Sequence, residues 1–381
     1  MKKQVMMIAA EASSAHYATK LMQYWKSQGR NFHFWGVGSQ EMETLGFERL
    51  GKSEEMAVVG IAEIAAHYSE LKKIFNLLVE EAVRRRPDVL VLMDYPDFNL
   101  MLAKKLKAHG IKVVYYISPQ VWAWRKGRIK KIKKYCDKVL LLFPFEVDFY
   151  KQHDVPYEFV GHPLLDELGP ELFDESKIRF YREKYGIKEG EKLLALMPGS
   201  RRGELDRHFG VQLETARILL KKYPFLRIAI LVAPSIQKEE ILKRMEDFRS
   251  PFIVLQDDPY KMISFADFVL VASGTATLMV GLLHKPMVIM YRLKWLTGVI
   301  GKLIVRGVKY FGLVNLIMNR EVVPERLQEE ANPQVLSELL ARYIDDSAYF
   351  QQVQSELKKL DSFLGDKGAT ARAAAAIERY L

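Results

Sequence analysis

Short apolar runs of strand character alternate with helical segments along almost the whole chain, and this alternation restricts the fold more than any other feature. The first series of apolar runs covers residues 4–9, 32–37, 88–93, 112–117, 138–143 and 157–160. The second series covers residues 193–197, 226–232, 252–255, 268–272 and 287–290. Strands that alternate with helices predict parallel sheets with helices packed on their faces. The expected fold class is therefore α/β.

The two series predict two tandem Rossmann-like domains with a cleft between them. At 381 residues the chain is long enough to bury two hydrophobic cores. The tripeptide Gly161-His162-Pro163 closes the first series, and a polar stretch at 164–190 leads into the second. We place the domains at residues 1–165 and 166–349.

Composition excludes several other classes of protein. Hydrophobic residues make up 49% of the chain and aromatic residues 11%, which excludes a disordered chain. The single cysteine, Cys136, excludes an internal disulfide and favours a cytoplasmic protein. The apolar run at 5–10 is short and stops at Glu11, so we expect a first strand rather than a signal peptide. No apolar stretch is long enough to predict a membrane span.

The segment 193–204, LLALMPGSRRGE, predicts a strand, a tight turn at Pro198 to Ser200 and a helix N-terminus. Such a junction presents backbone N–H groups and the positive end of the helix dipole to a ligand above the strand. Arg201 and Arg202 add positive charge, and arginine binds phosphate through two parallel hydrogen bonds. The segment therefore indicates a phosphate site, although the same turn also occurs as an ordinary connection between a strand and a helix.

A second turn of this kind, SGTAT at 273–277, follows the predicted strand 268–272. Two helix N-termini suited to phosphate in one domain indicate a nucleoside diphosphate. The chain has neither the GxxxxGKS or GxxxxGKT loop of P-loop proteins nor a GxGxxG motif after its first strand. It also has no His or Cys cluster with the spacing of metal ligands. We therefore disfavour kinase-type, NAD-type and metal sites.

Asp94 is the candidate catalytic carboxylate of the first half. It follows the strongly apolar run 88–93, at the carboxyl end of a predicted parallel strand, where ligands bind in open α/β sheets. Asp97 has the better spacing to cap the predicted helix 98–109, which leaves Asp94 for a functional role. We expect Asp94 to act as a general base that accepts a proton from a substrate hydroxyl.

Two segments and a pair of tryptophans are candidates for a surface that contacts large partners. Seven basic residues crowd into 125–134, in a chain of net charge +10. This basic helix suits anionic lipid, nucleic acid or simple solvation. The apolar stripe along 58–71 is either core or a face that enters a membrane surface. Trp122 and Trp124 suit stacking on a sugar, packing on a lipid tail or a core position.

Seven motifs lie along the chain in an order that resembles lipid A disaccharide synthase. They are VVGIAEI (58–64), DYPDFN (94–99), SPQVWAWR (118–125), GHP (161–163), PGSR (198–201), SGTAT (273–277) and NLIMNREVVP (315–324). The resemblance runs from the first strand to the C-terminal helices. The SPQVWAW and NREVVPE blocks are characteristic of that family, whereas PGSR and SGTA recur in related glycosyltransferases.

The resemblance implies a GT-B glycosyltransferase of the lipopolysaccharide pathway in Gram-negative bacteria. Such an enzyme transfers 2,3-diacylglucosamine from UDP-2,3-diacylglucosamine to the 6-hydroxyl of 2,3-diacylglucosamine 1-phosphate. The products are the β-1,6 disaccharide 1-phosphate and UDP. The family inverts the anomeric centre and uses no metal or other cofactor. The resemblance also implies a peripheral protein at the cytoplasmic face of the inner membrane and a homodimer with exchanged C-terminal segments.

The resemblance also assigns roles to residues. Asp94 is the implied base, Arg201 stabilises charge on the departing UDP, and Asn315 holds the donor. The implied donor-binding residues are Glu11, Gly199, Ser200, Arg201, Ser273, Gly274, Thr275, Ala276 and Thr277. Domain 1–165, completed by helices at 350–381, would bind the acceptor and face the membrane through 58–71 and 125–134. Domain 166–349 would bind the UDP-sugar.

Two departures from the family pattern stand in this chain. The first strand of the family runs into a GE-x-SGD loop, whereas residues 10–16 here read AEASSAH, so Glu11 remains but the flexible glycines and the aspartate do not. The family also has a glutamate two residues after SGTAT, where this chain has Met279. Methionine cannot accept hydrogen bonds from ribose hydroxyls as a carboxylate does, so we expect weaker nucleotide binding.

Three alternatives therefore stay open. A divergent paralogue would bind the lipid precursors without turnover. A GT-B transferase would use another UDP-sugar or another acceptor. A basic nucleic-acid binding protein agrees with the net charge, but the chain has no recognisable nucleic-acid module, so we expect no nucleic-acid partner.

Overall fold

The computed structural model describes residues 2–56, 61–119, 121, 127–246, 248, 252–292 and 310–381, with the backbone alone for 61–68. The chain divides into two compact units. The first comprises Met1–Asp166 with Leu364–Leu381, and the second comprises Glu167–Phe363. Each unit has its own parallel sheet.

The first unit contains a seven-stranded sheet in the order β3-β2-β1-β4-β5-β6-β7. Its strands are β1 Gln4–Ala9, β2 His33–Gly38, β3 Glu48–Lys52, β4 Val89–Met93, β5 Lys112–Tyr116, β6 Lys138–Leu141 and β7 Tyr157–Phe159. Every neighbouring pair is parallel. Residues 5–9 of β1 and all of β4 are fully buried. This is expected for central strands covered on both faces.

Helices connect these strands. They are α1 Ala12–Ser27, α2 Gln40–Thr44, α3 Ser53–Met56, α4 Ile61–Arg85, α5 Pro96–Lys107, α6 Arg128–Tyr135 and α7 Glu146–Gln152. Successive strands are added outward from β1, first on one side and then on the other. This strand order is that of a Rossmann-like fold, with a switch point between β1 and β4.

The second unit contains a six-stranded parallel sheet in the order β10-β9-β8-β11-β12-β13. Its strands are β8 Lys192–Met197, β9 Leu226–Leu231, β10 Phe252–Leu255, β11 Phe268–Ala272, β12 Met287–Tyr291 and β13 Glu325–Leu327. Its helices are α8 Glu175–Lys184, α9 Arg202–Lys222, α10 Lys238–Arg244, α11 Pro259–Ser264, α12 Thr275–Leu282, α13 Leu313–Met318, α14 Pro333–Asp345 and α15 Ser347–Lys358. Short 3₁₀ turns lie at Pro163–Glu167, Pro170–Leu172, Gln328–Glu330 and Lys359–Phe363.

The last helix, α16 Ala369–Glu378, packs on the first unit. Its Glu378 carboxylate accepts hydrogen bonds from Trp25 Nε1 at 3.0 Å and from Arg30 Nη2 at 2.9 Å. At the other end of the helix, the Asp166 carboxylate accepts the backbone N–H groups of residues 368–370. A carboxylate in this position stabilises the helix N-terminus.

The predicted fold class, two Rossmann-like α/β domains, is confirmed. The strands predicted from apolar runs lie within two residues of the observed ones, but β3 and β13 were missed. Both are short edge strands with charged residues, so they have no apolar run to mark them. The predicted cap at Asp97 was wrong. The helix begins at Pro96, a residue suited to the first helical position, and Asp97 instead forms an ion pair with Arg128 at 2.7 Å.

The described part of the chain has neither a membrane-spanning helix nor a metal-binding cluster. None of its helices is long and apolar enough to cross a bilayer. It also contains no group of three or more His, Cys, Asp or Glu side chains arranged to hold a metal ion.

Candidate functional site

Three of the five described non-glycine residues with positive φ in the first unit lie at the carboxyl ends of β4 and β5, and the other two are Arg86 and Asp154. Asp94 and Tyr95 follow β4 with φ angles of 51° and 43°, and Ile117 follows β5 with a φ of 62°. Left-handed backbone is uncommon outside glycine and is a genuine outlier for a β-branched residue. The strained segments are joined, since Asp94 N donates to Ile117 O at 2.9 Å. Strain of this kind typically marks functional sites.

The Asp94 carboxyl has the electrostatics of a base. Its residue is partly buried, and desolvation raises the pKa of the carboxyl, while a hydrogen bond from the Tyr95 backbone N–H offsets this only in part. A carboxylate with a raised pKa binds a proton more strongly than one in water. Asp94 is therefore suited to take a proton from a bound hydroxyl.

Glu11 lies at the same edge of this sheet. Ala9 of β1 pairs with Met93 of β4, so Glu11 and Asp94 follow paired positions of neighbouring strands. Glu11 occupies the N-cap position of α1, and its backbone N–H donates to Ser14 Oγ at 3.0 Å. Because α1 begins at residue 12, residues 12–16 of the altered 10–16 segment are helical in this chain.

In the second unit, the PGS turn joins β8 to α9 as predicted. Gly199 has a φ of 128°, and Arg201 occupies the N-cap position of α9. The nearly buried carboxylate of Glu204 lies inside the turn, where it accepts Ser200 N–H at 2.8 Å and approaches Arg201 Nη1 to 3.6 Å. A carboxylate therefore already interacts with the groups that the sequence suggested for phosphate. Arg202, in contrast, pairs with Glu240 at 3.3 Å and is largely exposed.

Three polar side chains of α9 hold the end of β8. Glu204, His208 and Gln212 are spaced four residues apart on one buried face of the helix. His208 Nδ1 lies 3.1 Å from Pro198 O, and His208 Nε2 accepts Arg292 N–H at 3.0 Å, which assigns the proton to Nδ1. Burial lowers the pKa of His208, so the imidazole is neutral. Gln212 Nε2 donates to Met197 O at 3.3 Å.

The SGTAT turn lies beside the PGS turn, because β8 and β11 are parallel neighbours. Gly274 precedes α12 with a φ of 153°, and Thr275 and Ala276 form the first turn of the helix. Two of the hydroxyls are engaged within the protein. Ser273 Oγ donates to Phe311 O at 3.1 Å, and the buried Thr277 Oγ1 donates to Gly274 O at 2.8 Å. Met279 follows on the same helix and is partly exposed.

Asn315 lies in α13 and is fully buried. Its Oδ1 accepts the backbone N–H groups of Val322 at 2.7 Å and Val323 at 3.1 Å, and its Nδ2 donates to Val323 O at 2.8 Å. The neighbouring Glu325 carboxylate accepts Gly312 N–H at 2.8 Å. The side chain of Asn315 thus fixes the NREVVPE segment, and its direct contact with a donor stays a prediction.

The predicted membrane-facing segments are described only in part. Trp122, Trp124 and residues 58–60 and 125–126 lie outside the described residues. In α6, Ile129 and Ile132 are buried. The four lysines of that helix, Lys130, Lys131, Lys133 and Lys134, are exposed. The described part of the basic segment is therefore amphipathic, and its partner stays a prediction.

Four site residues were absent from the sequence predictions: Glu204, His208, Gln212 and Asn99. The first three follow an i, i+4, i+8 spacing of polar residues on an otherwise apolar face, which is a signal that the sequence contains. Asn99 sits in DYPDFN, where its amide nitrogen donates to the carbonyl oxygens of Met93 and Asp94.

Comparison with known proteins gives concordant results. A family described as lipid-A-disaccharide synthetase matches residues 5–377. The chain is 37% identical to a lipid-A-disaccharide synthase of Geobacter sulfurreducens, covering 99% of this chain and 97% of that protein. It is 39% identical to the enzyme of that name from Chromobacterium violaceum, covering 98% and 96%.

Two solved structures share the fold at low identity. The structure of S. aureus MnaA with UDP has a TM-score of 0.66 at 12% identity and covers 100% of this chain and 97% of that one. Anabaena Alr3699/HepE with UDP and glucose has a TM-score of 0.56 at 12% identity and covers all of both chains. At such identities the likeness concerns the fold alone.

Proposed function

The chain belongs to the lipid-A-disaccharide synthase family, and on that premise we propose the reaction that it catalyses. It transfers 2,3-diacylglucosamine from UDP-2,3-diacylglucosamine to the 6-hydroxyl of 2,3-diacylglucosamine 1-phosphate, which gives the β-1,6 disaccharide 1-phosphate and UDP. The observation that carries this proposal is the family match over residues 5–377, a span that contains Asp94 and both predicted phosphate turns. The match favours this GT-B hexosyltransferase over the alternatives raised by the sequence.

In the proposed reaction, Asp94 is the general base. The acceptor 6-hydroxyl oxygen forms a bond to the anomeric carbon of the donor, and Asp94 takes the hydroxyl proton. The bond between that carbon and the UDP oxygen breaks, so the electron pair leaves with UDP and the anomeric configuration inverts. The partly buried carboxyl with its raised pKa supports this assignment.

The donor diphosphate binds to the second unit in this proposal. The PGS and SGTAT turns present two helix N-termini at neighbouring strands, and Arg201 supplies a positive charge. Gly199, Ser200, Ser273, Gly274, Thr275, Ala276 and Thr277 form these turns, and Arg201 stabilises charge on UDP as it departs. We assign Glu11 to donor positioning and Asn315 to positioning the NREVVPE segment.

Replacing Gly199 by alanine tests the donor turn. An added Cβ would lie 2.5 Å from Glu204 Oε2 in a backbone of φ 128° that alanine avoids, so the turn must shift. We expect UDP binding, measured by calorimetry, to weaken at least about tenfold. The matched control is Gly210→Ala, because an added Cβ on that exposed residue of α9 meets no atom within 4 Å. That variant should bind UDP normally and gain about 1 kcal/mol in free energy of unfolding. Equal UDP binding in both variants would contradict the assignment.

We also propose where the protein acts. The exposed lysines of α6 suit the anionic surface that presents both acylated substrates, at the cytoplasmic face of the inner membrane. In a homodimer with exchanged C-terminal segments, α16 of one copy would contact Trp25 and Arg30 of the other copy. The first unit, completed by α16, binds the acceptor, and the reaction requires no metal.

A turnover assay with both lipid substrates in detergent tests the function. The wild type should release UDP only when donor and acceptor are both present. Met279→Glu should restore a carboxylate near the ribose and lower the donor KM about threefold to tenfold. Met101→Glu, the same change at an exposed position of α5, should leave the donor KM unchanged.

The other outcomes identify the alternatives. Product from Met279→Glu but not from the wild type would mean that loss of the ribose contact has silenced the enzyme. No product from either protein, with lipid still bound, would indicate a non-catalytic paralogue. Turnover with a different sugar nucleotide or acceptor would indicate a different transferase.

A further inference from the structure

We propose that Asn99 and Tyr115 are positioning residues that clamp the backbone of Asp94 and thereby orient its carboxyl. This inference rests on the proposed function, in which Asp94 is the base. This role does not require either side chain to contact the substrate. Their role is to maintain a backbone conformation that Asp94 would not adopt by itself.

Both side chains donate to the same carbonyl oxygen. Asp94 O accepts a hydrogen bond from Tyr115 Oη at 2.7 Å and one from Asn99 Nδ2 at 2.7 Å. Asn99 Nδ2 also donates to Met93 O at 3.1 Å. Together with the bond from Asp94 N to Ile117 O, these contacts fix both peptide units that flank the Asp94 Cα atom.

The clamp accounts for the strain at this position. Asp94 and Tyr95 are consecutive non-glycine residues with positive φ, a conformation that persists only where surrounding contacts impose it. Asn99 and Tyr115 are both fully buried and lie on α5 and β5, two regular elements of the first unit. Groups on rigid elements can hold a loop in a strained conformation better than groups on the loop itself.

The side-chain amide of Asn99 has a further feature that supports the clamp. Its Oδ1 is buried and has no hydrogen-bond partner among the described residues. A flipped amide would place Oδ1 against two carbonyl oxygens, so the observed orientation is the favourable one. Burying an acceptor without a partner is costly. An asparagine here is therefore explained by its two donated hydrogen bonds.

Tyr115 is suited to the same task. It lies in the hydrophobic core of the first unit, and its hydroxyl is the polar group that reaches the strand end. Burial raises the pKa of this hydroxyl well above its ordinary value, with the charge of Asp94 acting in the same direction. The hydroxyl therefore stays protonated and remains a donor.

Tyr115→Phe tests the clamp, with Tyr343→Phe as the matched control. Tyr343 is a buried tyrosine of the second unit whose hydroxyl donates to Met287 O at 2.9 Å. Both changes remove one hydroxyl that donates to a backbone carbonyl, so both should lower the melting temperature to a similar extent. Only Tyr115→Phe should lower kcat, by at least about tenfold, with the donor KM within about twofold of the wild type. Asn99→Ala should give the same kcat and KM pattern.

Hydrogen exchange of the Asp94 amide provides a readout that needs no activity. It should become at least about tenfold faster in Tyr115→Phe and stay unchanged in Tyr343→Phe. Unchanged exchange in Tyr115→Phe would overturn the clamp. Faster exchange with a wild-type kcat would overturn the positioning role. If the wild type does not turn over but exchange responds as expected, the clamp is supported and the proposed function fails.

Discussion

Asp94→Asn should lower kcat by about 10²–10⁴-fold, the range contributed by general bases, with the donor KM within about threefold. Asparagine keeps the size and polarity of the side chain but cannot take the proton of the acceptor hydroxyl. In the wild type, kcat should rise with pH through the raised pKa of Asp94. Steady-state kinetics across a pH series measure both effects.

The same substitution should stabilise the protein at neutral pH. Because desolvation raises the folded-state pKa of Asp94, the folded chain binds this proton more tightly than the unfolded chain. Stability is therefore lost as the pH rises from about 4, the ordinary value for aspartate, through the raised pKa. Asparagine removes this loss, so its gain in free energy of unfolding should be present at pH 7 and absent below about pH 3.

Asp97→Asn is the matched control for Asp94→Asn. Asp97 lies three residues further along the same motif, with 68% of its side chain exposed and an ion pair to Arg128. It should keep activity within about threefold of the wild type, because an exposed ion pair contributes little. An active Asp94→Asn enzyme would exclude Asp94 as the base, and an equal loss in Asp97→Asn would show that the loss is not specific to Asp94.

Arg201→Ala should lower kcat by about 10²–10³-fold, since it removes the charge to which we assign stabilisation of the departing UDP. Arg202→Ala should cost less than about fivefold, because that side chain is 79% exposed and pairs with Glu240. The two adjacent arginines therefore separate the effect on kcat of a charge at one defined position from the effect of net positive charge. Arg201→Lys should still lose at least about tenfold, because lysine cannot form two parallel hydrogen bonds with a phosphate. Equal losses in the two alanine variants would show that net charge alone matters.

The fold was predictable from the sequence because its central strands are continuous apolar runs. Residues 89–93 and 192–197 are short and almost wholly apolar, so each predicts a buried strand. The turns at Gly199 and Gly274 mark where helices α9 and α12 begin. The edge strands β3 and β13 carry too few apolar residues to be recognised. Their positions depend on pairing with a neighbour that the local sequence does not specify.

The candidate site was predictable only in part. Asp94 and the PGSR turn follow from their positions after strands, but the contact of Glu204 with Ser200 requires the three-dimensional path of the turn. The positive φ of Asp94 and Tyr95 depends on hydrogen bonds from Asn99 and Tyr115, which lie on other elements. Such tertiary contacts leave no pattern in a local stretch of sequence.

The linkage of the product tests the central claim most directly. The wild-type enzyme is incubated with UDP-2,3-diacylglucosamine and 2,3-diacylglucosamine 1-phosphate, and the purified product is analysed by mass spectrometry and NMR. We predict one disaccharide 1-phosphate with a β-anomeric linkage to the 6-position of the acceptor. An α-linkage, a different attachment position, or hydrolysis of the donor without disaccharide would contradict it.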